Sequence, residues 1–166
     1  MKKEIEKGLS RLIGLPFSAA SRAGSMAVFK FGEVTRGTDK WGNETEETKW
    51  SLNIQCCWRI SNSSKIITAS HDLYLPSSGE IENQEFNWEE DMNLFDEKIK
   101  LVTESVFPIE VVSISADELG GAKIYLSNRM ILEIFPDESG DEEFWRIHNR
   151  SDANLDLVVA GNGIED

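Results

Sequence analysis

The sequence predicts an α+β domain, mainly antiparallel β, with about eight strands in hairpins and a meander, an N-terminal helix and one central helix packed on the sheet. Three observations carry that class. Residues 50–60 alternate strictly: Trp50, Leu52, Ile54, Cys56, Trp58 and Ile60 fall on one face, and Ser51, Asn53, Gln55, Cys57 and Arg59 on the other. Helical spacing occurs at the N-terminus and near residues 94–106. Beyond Pro108, short apolar runs are separated by turn residues such as Gly120-Gly121 and Ser127-Asn128, as a meander requires.

The opening MKKEIEKGLSRLIGLPF places Ile5, Leu9 and Leu12 on one side of an amphipathic helix. Glu4 and Glu6 interrupt its basic region and Arg11 its apolar one, so it does not read as a signal peptide, and a cytoplasmic protein is expected. Small residues carrying Arg22 (SAASRAGSM, 18–26) lead to a strand at 26–34 and a polar loop, TRGTDKWGNETEETK. After the 50–60 strand, SNSS turns the chain into residues 65–75. A hairpin here would set Trp58 opposite Ile67, Cys56 opposite Ala69, Ile54 opposite His71 and Asn53 opposite Asp72, making one face apolar and the other polar.

Residues 76–91 have turn composition, and Glu80 to Glu97 hold eight carboxylates with no Lys or Arg. The spacing of Phe95, Ile99, Val102 and Val106 predicts a helix from about Leu94 to Val106, with Asn93 as N-cap and Pro108 as its stop. Strands are expected at 109–116, 122–127, 130–135, 142–149 and 155–161. Trp58-Arg59-Ile60 recurs as Trp145-Arg146-Ile147, each after a similar run (SLNIQ, ILEIF). That echo is either ordinary strand patterning or a duplicated β unit.

At 166 residues, with 40% hydrophobic and 28% charged residues, the chain suits one globular domain spanning 1–166. Its net charge is −13, unevenly spread: residues 1–40 hold eight Lys/Arg against four Asp/Glu (+4), leaving −17 on the remainder. Such a surface disfavours nucleic acid and anionic membrane and attracts a basic protein, although acidity also serves plain solubility.

No strong chemical motif is present. Cys56 and Cys57 are neighbours on a strand and point to opposite faces, with no second pair to complete a zinc site, so they read as structural. His71 is expected on the apolar face of its strand, and His148 opposite Trp145 and Ile147. DESGDEE (137–143) misplaces the glycine of a calcium loop and puts His148 where the bidentate Glu belongs, so it reads as a charged turn. Neither a metal nor a cofactor is implied. Arg22 could bind a carboxylate or phosphate, but in so acidic a chain a partner carboxylate of its own is the simpler expectation.

Taken together, IGLP near the start, Arg22 before a strand ending in FKFGEV, LNIQCCWRIS, SHDLYLP and the closing FPDESGDEEFWRIHN…LVVAGNGIE resemble a family of small uncharacterised bacterial proteins. In that family the middle phrase is closer to LHIQCPWRI, so Cys57 stands where proline is common and Asn53 where histidine is common. The resemblance implies no catalytic residues. The end-phrase is similar in style to small acidic immunity proteins of bacterial toxin systems.

The leading expectation is a non-enzymatic, immunity-like binding domain that meets a basic partner through Glu82, Glu85, Glu89, Glu90 and Asp91 and through Asp137 and Asp141. The alternative is a small-ligand site or enzyme on the polar hairpin face (Asn53, Gln55, Cys57, Asp72) or near Arg22. Self-association through a strand edge or a Trp patch at Trp41, Trp88 or Trp145 is a third option.

Overall fold

Ile5, Leu9 and Leu12, spaced down one side of the first segment, are fully buried. They seat helix α1 (Lys2–Leu9) and the 3-10 turn Ser10–Leu12 that continues it. The computed structural model describes residues 1–38, 41–78, 86–104 and 107–165. Its strands are β1 (Phe17–Ala23), β2 (Met26–Phe31), β3 (Thr35–Thr38), β4 (Glu44–Glu47), β5 (Trp50–Ile54), β6 (Cys57–Ser61) and β7 (Ile66–Ala69). After helix α2 (Leu94–Thr103) come β8 (Val111–Ala116), β9 (Ala122–Leu126), β10 (Ile131–Phe135), β11 (Glu143–Asn149), β12 (Leu157–Ala160) and β13 (Gly163–Glu165).

The α+β class stands, but with thirteen strands among the described residues in place of about eight. Three of the added strands lie where apolar alternation is weak or absent. β1 runs through the small-residue segment and buries fully only Phe17, while β3 and β4 pair with each other and stay largely exposed. β13 is a short edge strand, and the fifth arises because residues 50–61 are two strands. The chain bends at Gln55 and Cys56, whose backbone N–H groups both donate to the Phe144 carbonyl at 2.9 and 3.1 Å. The bend preserves parity, so Ile54 and Trp58 are both buried and the alternation conceals the change of sheet.

That bend also overturns the proposed hairpin register. Arg59 faces Ala69 and Ile60 faces Thr68, with an irregularity before Ser61 faces Ile66. β7 ends at Ala69, where the Asp72 carboxylate accepts the Ala69 N–H at 3.0 Å and caps a 3-10 turn, Ser70–Tyr74. His71 is therefore exposed on that turn and not on an apolar strand face. Asn53 pairs with Val28 and Arg146, far from Asp72 in register.

Helix α2 starts where its cap predicts. The Asn93 side chain accepts the Asp96 N–H at 3.0 Å and Asp96 returns a bond to the Asn93 N–H at 3.3 Å. Phe95, Ile99 and Val102 are buried. The helix ends at Thr103, and Ser105 and Val106 lie outside the described residues. Phe95 enters an aromatic core, 5.5 Å from Trp58 and 6.5 Å from Phe29, which meets Trp58 edge-on at 5.0 Å.

The sheets explain the echo. One runs β1-β2-β5-β11-β12-β13; the other, read from its far edge, runs β8-β9-β10-β6-β7. Strand by strand β1, β2, β5, β6 and β7 map onto β8, β9, β10, β11 and β12, and the closing strands of each half (β6 and β7 of the first, β11 to β13 of the second) complete the other half's sheet. The repeated motif lies on this exchange: Trp58, Arg59 and Ile60 pair with Ile134, Glu133 and Leu132, while Trp145, Arg146 and Ile147 pair with Ile54, Asn53 and Leu52. The helices obey the same rule, α1 packing on β8 and β12 and α2 on β1 and β7. Where the halves meet, Phe17 N–H donates to the Ile109 carbonyl at 2.7 Å and Val111 N–H to the Leu15 carbonyl at 3.0 Å. The main interruption is the β3–β4 hairpin between β2 and β5, since the equivalent β9–β10 connection is the short turn Ser127–Met130. No helix among the described residues is long and apolar enough to cross a membrane.

Candidate partner-binding groove

Cys57 opens β6 and Asp137 follows β10, and antiparallel pairing of Cys57 with Phe135 brings them together. The Asp137 carboxylate accepts the Cys57 backbone N–H at 3.1 Å and its thiol at 3.2 Å. Around them lies a groove of about 270 Å³ lined by Ser25, Gln55, Cys56, Cys57, Ser70, His71, Leu73, Tyr74, Asp137 and Glu138. Burial, and then the bond to Asp137, push the Cys57 thiol up from its ordinary value, and the same bond holds the Asp137 carboxyl low. Cys56 is pushed up to about 12, chiefly by burial. Both sulfurs are therefore thiols at neutral pH, poor nucleophiles even with His71 lining the same groove. Among the described residues no three metal-ligating side chains converge.

One side of the groove continues into the acidic 86–91 segment. Tyr74 and Trp88 meet at 5.0 Å, tilted towards edge-on, and His71 lies 6.4 Å from Tyr74. Arg22 fixes that segment: its guanidinium donates to the carbonyls of Trp88 (2.6 Å), Glu89 (3.1 Å) and Asp91 (2.8 Å) and pairs with Asp96 at 3.1 Å. Arg22 thus has carboxylate and carbonyl partners of its own, and a free anion-binding fork there is corrected to a tether. Asp91 accepts the Asn87 N–H at 2.8 Å, while Glu89 and Glu90 are exposed.

The polar face assumed to unite Asn53, Gln55, Cys57 and Asp72 does not exist. Gln55 and Cys57 line the groove, Asp72 caps the 3-10 turn, and Asn53 lies across the bend on the other sheet. Glu82 and Glu85 lie outside the described residues. Asp141 is exposed in the β10–β11 turn, where Asp137 is committed to Cys57 and Glu143 to Arg146. Trp145 belongs to no surface patch, being fully buried with its indole N–H donating to the Gly120 carbonyl at 2.8 Å. His71, Tyr74 and Glu138 were not singled out as neighbours, because only the turn after β7 and the strand pairing bring them together. Comparison with family models, with curated proteins and with solved structures finds no match.

Proposed function

We propose that the chain is a non-enzymatic protein-binding domain whose groove between β6, the Ser70–Tyr74 turn and the β10–β11 turn receives a cationic segment of a basic partner. One observation carries this reading: Tyr74 and Trp88 stand beside a groove walled by Asp137 and Glu138, with Glu89 and Glu90 exposed on the Trp88 segment. Carboxylates neutralise a Lys or Arg head, and aromatic faces take its charge and its aliphatic stem. The net charge of −13 adds long-range steering of a basic protein. The protonated thiols favour recognition over catalysis at this groove.

Affinity capture tests the reading, with wild-type protein beside a Glu89→Lys/Glu90→Lys/Glu138→Lys variant at low and moderate salt. The expected outcome is capture of a basic protein by the wild type, weakened by salt and lost in the variant. Equal capture by both proteins, or no basic protein at either salt, overturns it.

A further inference from the structure

The β3–β4 hairpin has no counterpart in the second half of the chain, and it contributes Thr35 and Glu47 to the walls of two adjoining recesses. The larger, about 740 Å³, has apolar walls from Leu15, Pro16 and Trp50; the smaller, about 350 Å³, shares Thr48, Lys49 and Arg150 with it. In a chain of net charge −13, this junction gathers Lys30, Lys49 and Arg150. Glu33 and Glu47 are the carboxylates lining it. Arg150 pairs with Glu47. Lys49 makes no ion pair among the described residues, Lys30 donates to the Glu46 carbonyl at 3.1 Å, and His148 bonds Asp156 at 2.7 Å.

Asn53 supplies an independent observation. Its equivalent in the other sheet, Glu133, is gripped by Arg59 at 2.7 Å and Lys123 at 2.9 Å. Beside Asn53 the place of Lys123 is taken by Val28, and Arg146 turns to Glu143. The Asn53 Oδ1 is left buried with no hydrogen-bond partner among the described residues, in a residue that lines the smaller recess. A buried acceptor without a partner is costly unless something donates to it.

We propose that this cleft binds a small organic anion with a flat apolar body, an aryl phosphate or aromatic carboxylate. The ring lies against Leu15, Pro16 and Trp50, and Lys49 with Arg150 holds the anionic group. Asn53 accepts from a hydroxyl or amide substituent reaching the smaller recess. The cleft is distinct from the acidic groove and takes ligands of the opposite sign.

Backbone amide NMR with phenyl phosphate, inorganic phosphate and neutral benzamide as probes tests it. Phenyl phosphate should give saturable shifts at Gly32, Lys49, Ser151 and the Trp50 indole, binding more tightly than inorganic phosphate, with benzamide giving none. Lys49→Gln/Arg150→Gln should weaken phenyl phosphate binding by about tenfold or more, since charge-assisted bonds are lost. Both side chains are solvent-exposed, and an unchanged spectral dispersion will report an intact fold. No saturable response, equal binding of benzamide or of inorganic phosphate, or wild-type affinity in the double variant overturns the proposal.

Discussion

Asp137→Asn isolates the electrostatics of the acidic groove. In the wild type the carboxylate lies 3.2 Å from the Cys57 sulfur and accepts its proton, so forming the thiolate sets two negative charges side by side. At water-like screening that repulsion is about 1 kcal/mol, and it is larger where the groove excludes solvent. The amide removes the charge and can donate to a thiolate. A lower-pKa thiolate is intrinsically less nucleophilic, which cancels part of the gain. The net expectation is a roughly two- to threefold faster reaction of Cys57 with a disulfide reagent near neutral pH, taking about 1 kcal/mol as the driving change and a Brønsted slope of about 0.4–0.5. Cys56 provides an internal control: pushed up to about 12 chiefly by burial, it should react far more slowly than Cys57 in the folded protein. Stopped-flow absorbance with the reagent in excess measures both. An unchanged rate in Asp137→Asn, or two equally fast thiols in the native protein, would refute the reasoning.

Three further perturbations test the architecture. Trp145→Phe removes the buried indole bond to the Gly120 carbonyl and leaves a void, so urea denaturation should show a loss of about 2–4 kcal/mol. At Glu133, burial acts to raise the carboxyl, but Arg59 and Lys123 outweigh it and hold the group below its usual range. A depressed folded-state value gives stability that is full above the unfolded-state value of about 4.3 and is lost as pH falls through the folded one. Glu133→Gln should therefore flatten the acidic end of a plot of Tm against pH. Replacing Glu33–Thr48 with a turn as short as Ser127–Met130 should leave a dispersed NMR spectrum; an unfolded chain would contradict the reading of the hairpin as an excursion from the repeated plan.

Local signals were legible in the sequence and long-range ones were not. Ile5, Leu9, Leu12, Phe95 and Ile99 announce their buried faces by helical spacing, and Asn93 announces a cap, because both depend on near neighbours. Alternation across residues 50–60 correctly marked Leu52, Ile54, Trp58 and Ile60 as core, yet the bend at Gln55 keeps parity, so nothing in the pattern reveals two sheets. β1 and the β3–β4 hairpin were invisible because they bury too little to imprint a period. The topological repeat carries three identical residues, both tryptophans and both isoleucines fully buried in the exchanged pairings, while the positions of Asn53 and Glu133 differ. The acidic groove needed Cys57, His71, Trp88 and Asp137 to meet across four elements, and no spacing rule encodes that meeting.

The central claim is that the groove beside Tyr74 and Trp88 recognises cationic protein segments. Titrating an Arg/Lys-rich peptide into isotope-labelled protein tests it directly, with residue-resolved shifts followed at two salt concentrations. The account predicts saturable changes confined to Ser70–Tyr74, the Trp88 indole and residues 137–138, weakened by salt and abolished by Glu89→Lys/Glu90→Lys/Glu138→Lys. Shifts scattered over the acidic surface, or retained in full by that variant, would contradict it.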